Sequence, residues 1–333
     1  MRTVRAGKSL RMGLALLAVA VGCGGEEPAA PPPPVETVVH DTTRAVQAEM
    51  QNVDFSIDSG IVLEISRLRG KLLPTSDTAP AAFNDPRSFT LSIGSAALAI
   101  DTAGLSTLLT RHVFAYKGSP LGHLRISIDS NRLVQKGVLK KGIHFPFTVK
   151  SEVNLTPEGL IRLHPTSIKV LGVGASGLMK FFGLSLEELA KVAPGRGVRI
   201  DGNDFLLDPT AALPPPRVRG KVTALAVRNG RIYLAFGNAA GADSVRLSRP
   251  DTTVANYMYF RGGVLRFGKL TMADADMFIV DDDLSDRFDF SLPRYFDQLV
   301  AGVHRTTRVD GLIVHMPDRN DLLARRTKPA APP

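Results

Sequence analysis

The most regular feature of the chain is alternation. Residues 53–58 alternate apolar and polar side chains, and the pattern resumes over 61–65 beyond a glycine, which predicts a pair of half-buried strands. Residues 88–100 read as another long strand, or as a strand bulged at Gly94. Alternating runs return at 124–128, 147–155 and 160–164, the last two separated by Thr156-Pro157-Glu158-Gly159. Proline presets φ and glycine supplies a positive φ, so this tetrapeptide predicts a hairpin turn. Runs at 218–227 and 231–236 flank Asn229-Gly230, the strongest short-range hairpin signal in the chain. Long strands joined by hairpins predict an antiparallel sheet.

Two segments carry helical periodicity instead. Leu105, Leu108, Leu109, His112 and Val113 fall on one face at i, i+3, i+4, i+7 and i+8, and Asp101 or Thr102 can cap the start. Leu178, Phe181, Phe182, Leu189 and Val192 form a second stripe, widened by Met179, Leu186 and Ala190. Gly183 and Ser185 predict a break near its middle, with Ser185 and Glu188 forming a capping box for the second half. A third, short helix is expected around 294–301. Few helices packed on a large antiparallel sheet make an α+β fold. Acids cluster beyond residue 258, at Asp274, Asp276, Asp281, Asp282, Asp283, Asp286 and Asp289. That change in texture predicts a small β-rich C-terminal extension over 246–320, with the main body over 48–245.

The ends read differently. Arg2, Arg5, Lys8 and Arg11 precede an apolar run over 12–21, too short to span a bilayer core of about 30 Å as a helix. Ala20-Val21-Gly22-Cys23 follows, and Cys23 is the single cysteine of the chain. This resembles the lipobox of bacterial lipoproteins, with Ala where that motif usually has Leu. The resemblance implies a signal peptide over 1–22, cleaved before an acylated Cys23; an ordinary secretory signal cut nearby is the alternative. No Asp follows the cysteine, which by the same resemblance favours the periplasmic face of the outer membrane. Pro28 and Pro31 to Pro34 give a stiff tether over 23–47. A basic, proline-rich tail over 321–333 is expected to be disordered.

Composition narrows the chemistry. One cysteine excludes an intramolecular disulfide and a Cys-based zinc site. Net charge is +9, and removing the first 22 residues leaves 37 basic against 32 acidic residues. That mild excess suits anionic lipid surfaces and is too diffuse for nucleic acid. The seven histidines show no metal-ligand spacing, and no Gly-x-Ser-x-Gly elbow is present. The acidic run at 281–289 lacks the EF-hand pattern and reads as a solvated loop balanced by Arg287 and Arg294, with Ca²⁺ binding as the alternative. Gly172-Val173-Gly174-Ala175-Ser176-Gly177, with Asp201 downstream, imitates a dinucleotide fingerprint. Hairpins surround it where further β-α-β units should stand, so the glycines read as a tight turn. No catalytic residue, metal or cofactor is expected, and a non-enzymatic protein is the leading reading.

From 124 to 236 the order of elements is similar to the bacterial periplasmic branch of the tubular lipid-binding (TULIP) superfamily, the LmeA-like proteins. The shared order is a strand, a basic stretch at 136–141, the hairpin around Pro157-Glu158-Gly159, the apolar helix over 178–192, Pro194 to Ile200, and a closing hairpin ending at Phe236. The resemblance implies a long, strongly curved antiparallel sheet wrapped around two apolar helices, with a tunnel for acyl chains. Leu105, Leu108, Leu109, His112, Leu178, Phe181 and Phe182 would line it. The implied protein is an anchored envelope lipoprotein that binds or carries lipid, with membrane lipid and an envelope protein as partners. A structural or adaptor lipoprotein without a ligand is the alternative, and an enzyme of another kind the third reading.

Overall fold

The structure, a computed structural model, describes residues 44–141, 143–170, 173–174, 195–237, 247–307 and 311–327. The expected signal peptide and Cys23, nearly all of the tether, the helix over 178–192 with Leu178, Phe181 and Phe182, and residues 328–333 lie outside the described residues. All described residues belong to one compact unit, Val39–Pro333.

Strands dominate and helices are few. The first part contains β1 (Val46–Asp58), β2 (Ile61–Pro74), β3 (Ala81–Ala82), β4 (Phe89–Asp101), α1 (Thr102–Leu108) and a π turn (Leu109–Val113). Next come β5 (Leu121–Asp129), β6 (Arg132–Lys141), β7 (Ile143–Leu155), β8 (Ile161–Val170) and β9 (Val173–Gly174). They lead to β10 (Val198–Asp201), β11 (Asp204–Leu207), α2 (Pro209–Ala212), β12 (Arg217–Arg219), β13 (Val222–Arg228) and β14 (Arg231–Phe236). The chain continues with β15 (Tyr257–Phe267), β16 (Leu270–Asp281), β17 (Phe288–Ser291), α3 (Tyr295–Ala301), β18 (Val303–Thr306), β19 (Leu312–Met316) and α4 (Arg319–Thr327).

Among the described residues these strands form two sheets, where the sequence predicted one. The first runs β13-β14-β4-β2-β1-β15-β16-β19-β18, with β12 also on β4, β17 on β1 and β3 on β15. The second runs β10-β11-β8-β7-β6-β5, with β9 on β8. The second sheet is antiparallel, but the first is mixed. β12, β17, β3 and β19 pair in parallel with β4, β1, β15 and β16 respectively. A parallel pair needs a crossover, and the stretch carrying β17, α3 and β18 supplies one between β16 and β19.

Turn chemistry sets the hairpins. Asn229 and Gly230 both take positive φ, 50° and 71°, as a two-residue loop matched to strand twist requires. Asp101 caps α1, its side chain accepting from the Gly104 N–H at 2.6 Å. The C-terminal region expected as an extension over 246–320 continues the first sheet directly, because β15 pairs with β1 from Gln47↔Arg261 to Gln51↔Tyr257. The tail expected to be disordered from 321 instead opens in α4. That helix is held at its start by the Asn320 N–H donating to Asp289 Oδ2 at 3.2 Å.

On the β15 and β17 side of β1 the core is filled with rings. Phe83 packs at centroid distances of 4.8 Å on Phe267, 5.2 Å on Phe260 and 5.9 Å on Tyr295. Phe290 stacks on Phe55 at 5.4 Å and touches Phe288 at 5.9 Å. Rings in edge and offset contact add to burial energy, so this side is solid and specific.

Candidate functional site

A cavity of about 200 Å³ opens between the two sheets. Its walls follow from strand register, because residues two apart share a face. On the first sheet, Ile65, Leu98 and Leu234 lie side by side across β2, β4 and β14, and Ile100 lies beside Ile232. On the second sheet, Val153, Leu163 and Phe205 form one row across β7, β8 and β11. Another row crosses four strands as Ile126, Gln135, Val149 and Ile168. Of the described residues lining the cavity, Gln135 alone carries a polar side chain.

Gly137 fits the next row by lacking a side chain. A Cβ there would stand 2.9 Å from Leu124 Cδ2 and from Phe147 Cζ. The glycine therefore lets the Phe147 ring, its register partner, lie over β6 and into the wall.

Leu105, Leu108 and Leu109 all line this cavity from α1 and the π turn. His112 does not, which corrects the expected lining set. The Phe114 N–H donates to Leu109 O at 2.8 Å across five residues, and this wider turn breaks the i+7 spacing that placed His112 inward. Phe114 lines the cavity instead. The His112 imidazole meets the Asp58 carboxylate at 2.9 Å, tying the turn to the end of β1. Sequence periodicity missed Gln135 because 136–141 read as a basic stretch. The period-2 signal was present, since Leu133, Gln135, Gly137 and Leu139 alternate with Val134, Lys136, Val138 and Lys140.

The opposite face of the second sheet is cationic. Arg125, Lys136, Thr148 and Lys169 form one row across β5, β6, β7 and β8. Arg125 and Lys136 are direct neighbours, and among the described residues neither they nor Lys169 has an ion-pair partner. Lys150, in the next row, is neutralised by Asp129 at 2.8 Å. Like charges placed opposite one another across a strand pair destabilise it.

Among the described residues, chemistry elsewhere is sparse. Val173 and Gly174 fold back antiparallel on β8, whose other neighbours, β7 and β11, are antiparallel as well. A dinucleotide fingerprint follows a strand of a parallel sheet, so the described part of the glycine run has the wrong surroundings. Asp201 sits opposite Asp204 at a hairpin end.

The acidic region is only partly the solvated loop expected. Asp282, Asp283 and Asp286 are exposed, while Asp281 and Asp318 are buried, and Asp281, Asp286 and Asp318 bring carboxylate oxygens within 4.8 Å of one another. The balancing arginines are engaged elsewhere, Arg287 with Asp54 and Arg294 with Asp297. These three carboxylates are the set among the described residues that a hard cation could bridge, and Asp318 lies outside the run read from sequence. Burial pushes Asp281 up to about 6, against hydrogen bonds from the Asp283 N–H and Asn256. Burial and the neighbouring charges of Asp281, Asp286 and Asp289 push Asp318 up to about 7, against the Asp289 N–H.

Both folded values lie above the value of about 3.9 for an unfolded aspartate, so the folded state binds more protons between these limits. Stability from this cluster is therefore present in acid and lost as pH rises through 6 to 7. The thermal midpoint should be higher at pH 5 than at pH 8. Asp318→Asn should flatten that slope, as thermal melts across the pH range will show.

No helix among the described residues is long and apolar enough to cross a membrane. Comparison of the chain with protein-family models, with curated proteins and with solved structures returns no match.

Proposed function

We propose that the protein is a non-enzymatic, membrane-anchored lipoprotein of the cell envelope that binds or carries the acyl chains of lipid between its two sheets. The observation that carries this reading is the cavity wall, apolar throughout the described residues except at Gln135. An apolar cavity of this size repels water and accepts apolar guests. Each methylene moved into it from water contributes about 0.8 kcal/mol. Such a site needs area rather than a catalytic motif, which fits a sequence without one. In this reading the sheets are the walls of a curved tubular fold of the lipid-binding kind.

The cationic row supports the membrane part of the proposal. Arg125, Lys136 and Lys169 repel one another on an exposed face, and anionic headgroups would relieve that repulsion. Cys23 and the proline tether would keep the body near such a surface.

One preparation tests both parts. The full chain carrying Cys23→Ala, which has no acyl anchor of its own, is purified without detergent, extracted with organic solvent and examined by mass spectrometry. Acyl lipid should be recovered in proportion to protein. The same preparation should sediment with anionic phosphatidylglycerol vesicles and not with phosphatidylcholine vesicles, and rising salt should release it. A lipid-free extract together with no uptake of added lipid leaves the adaptor reading in its place.

A further inference from the structure

Gln135 is out of place in this wall, and its one hydrogen bond indicates what it is for. Its Nε2 donates to Ser151 Oγ at 3.1 Å, and Ser151 is fully buried. Ser151 lies opposite Leu133 on β7, one row along from Gln135 on the same face. That single bond leaves the second Nε2–H and the Oε1 of Gln135 without partners among the described residues, in a wall otherwise made of hydrocarbon. Gln135 is half-buried, and the part of its carboxamide facing the hydrocarbon wall is costly there unless it is hydrogen-bonded. Satisfying Ser151 alone would not require a side chain with this surplus.

We infer that Gln135 reads a carbonyl oxygen on the bound acyl chain, so the cargo is a neutral acyl ester rather than a bare hydrocarbon or an ionised fatty acid. This rests on the cavity reading above and sharpens it. The carbonyl oxygen accepts from the free Nε2–H, while Ser151 holds the carboxamide in place. Ionised carboxylates are disfavoured because none of the described lining residues is a cation, and a buried charge without a partner is far more costly than a buried dipole. The neighbours of Gln135 in its row, Ile126, Val149 and Ile168, would contact the methylenes on either side of the ester.

The test compares three probes on the full chain carrying Cys23→Ala: methyl palmitate, palmitate at pH 8, and the hydrocarbon dye diphenylhexatriene. The parent should bind the methyl ester more tightly than palmitate. Gln135→Leu should weaken ester binding about tenfold, the value of one hydrogen bond, and leave the hydrocarbon dye unchanged or tighter. Because Gln135→Leu strands the Ser151 hydroxyl, the double variant Gln135→Leu, Ser151→Ala keeps the experiment readable if the single variant unfolds. Equal loss of ester and dye would overturn the inference, as would ester binding that ignores both variants or a preference for palmitate. Failure of the parent to bind any of the three probes would instead remove the cavity reading on which it stands.

Discussion

Phe290→Ala will remove about 3–5 kcal/mol of stability, the cost of emptying a filled aromatic site. Phe290 is fully buried on β17, stacked on Phe55, in contact with Phe288 and edge-on to Phe83, and it does not line the cavity. Its neighbours come from β1, from β17 itself and from the loop after β3, so no single element can shift to close the gap. Against the ~5–15 kcal/mol that separates folded from unfolded in a typical domain, this is a large fraction. A urea titration should show the midpoint falling with the slope preserved. A loss under about 1 kcal/mol would mean that this side of the protein collapses around vacancies, contrary to the packing described.

Leu108→Trp should have the opposite profile. Leu108 is buried, but it borders empty space between the sheets. In a filled core the larger ring would overpack and cost about 1–3 kcal/mol. Projecting into the cavity, it should cost less than that and take the volume a guest would use. The expected result is a urea midpoint close to the parent's, with most of the extractable lipid gone. A strongly destabilised variant of a parent that carries no lipid would show that Leu108 is simply part of a filled interior.

What the sequence disclosed and what it hid have separate physical causes. Hairpins were legible because their determinants are local. Asn229-Gly230 and Thr156-Pro157-Glu158-Gly159 each carry their own backbone instructions, and Gly159 takes the positive φ expected of it. The start of α1 was legible through the Asp101 cap and the leucine spacing. Pairing between distant strands was not, since the alternation of β15 says nothing about whether its neighbour is β1. The division into two sheets and the parallel placements of β12, β17 and β19 were hidden for the same reason. Within the site, the three leucines of the first helical stripe were found by periodicity. His112 was misplaced because a π turn leaves little mark on a sequence. Gln135 was overlooked because lysines dominated the reading of β6. Asp318 approaches Asp281 and Asp286 only through the tertiary fold.

The position of β1 has a consequence for when the protein can fold. This first strand of the body lies inside the larger sheet, between β2 and β15, with β17 also paired to it. The Tyr257 hydroxyl, on β15, donates at 2.6 Å to Glu49, on β1, at a sequence separation of 208. Loop closure over that distance precedes any return in contact energy, so the larger sheet forms late and slowly. During synthesis β1 and β2 can make a hairpin, but the other edge of β1 stays open until β15 has emerged. If the chain is exported unfolded, as the proposed envelope location requires, this delay is useful. The arrangement that completes the core would then also keep the nascent chain threadable until β15 has been made.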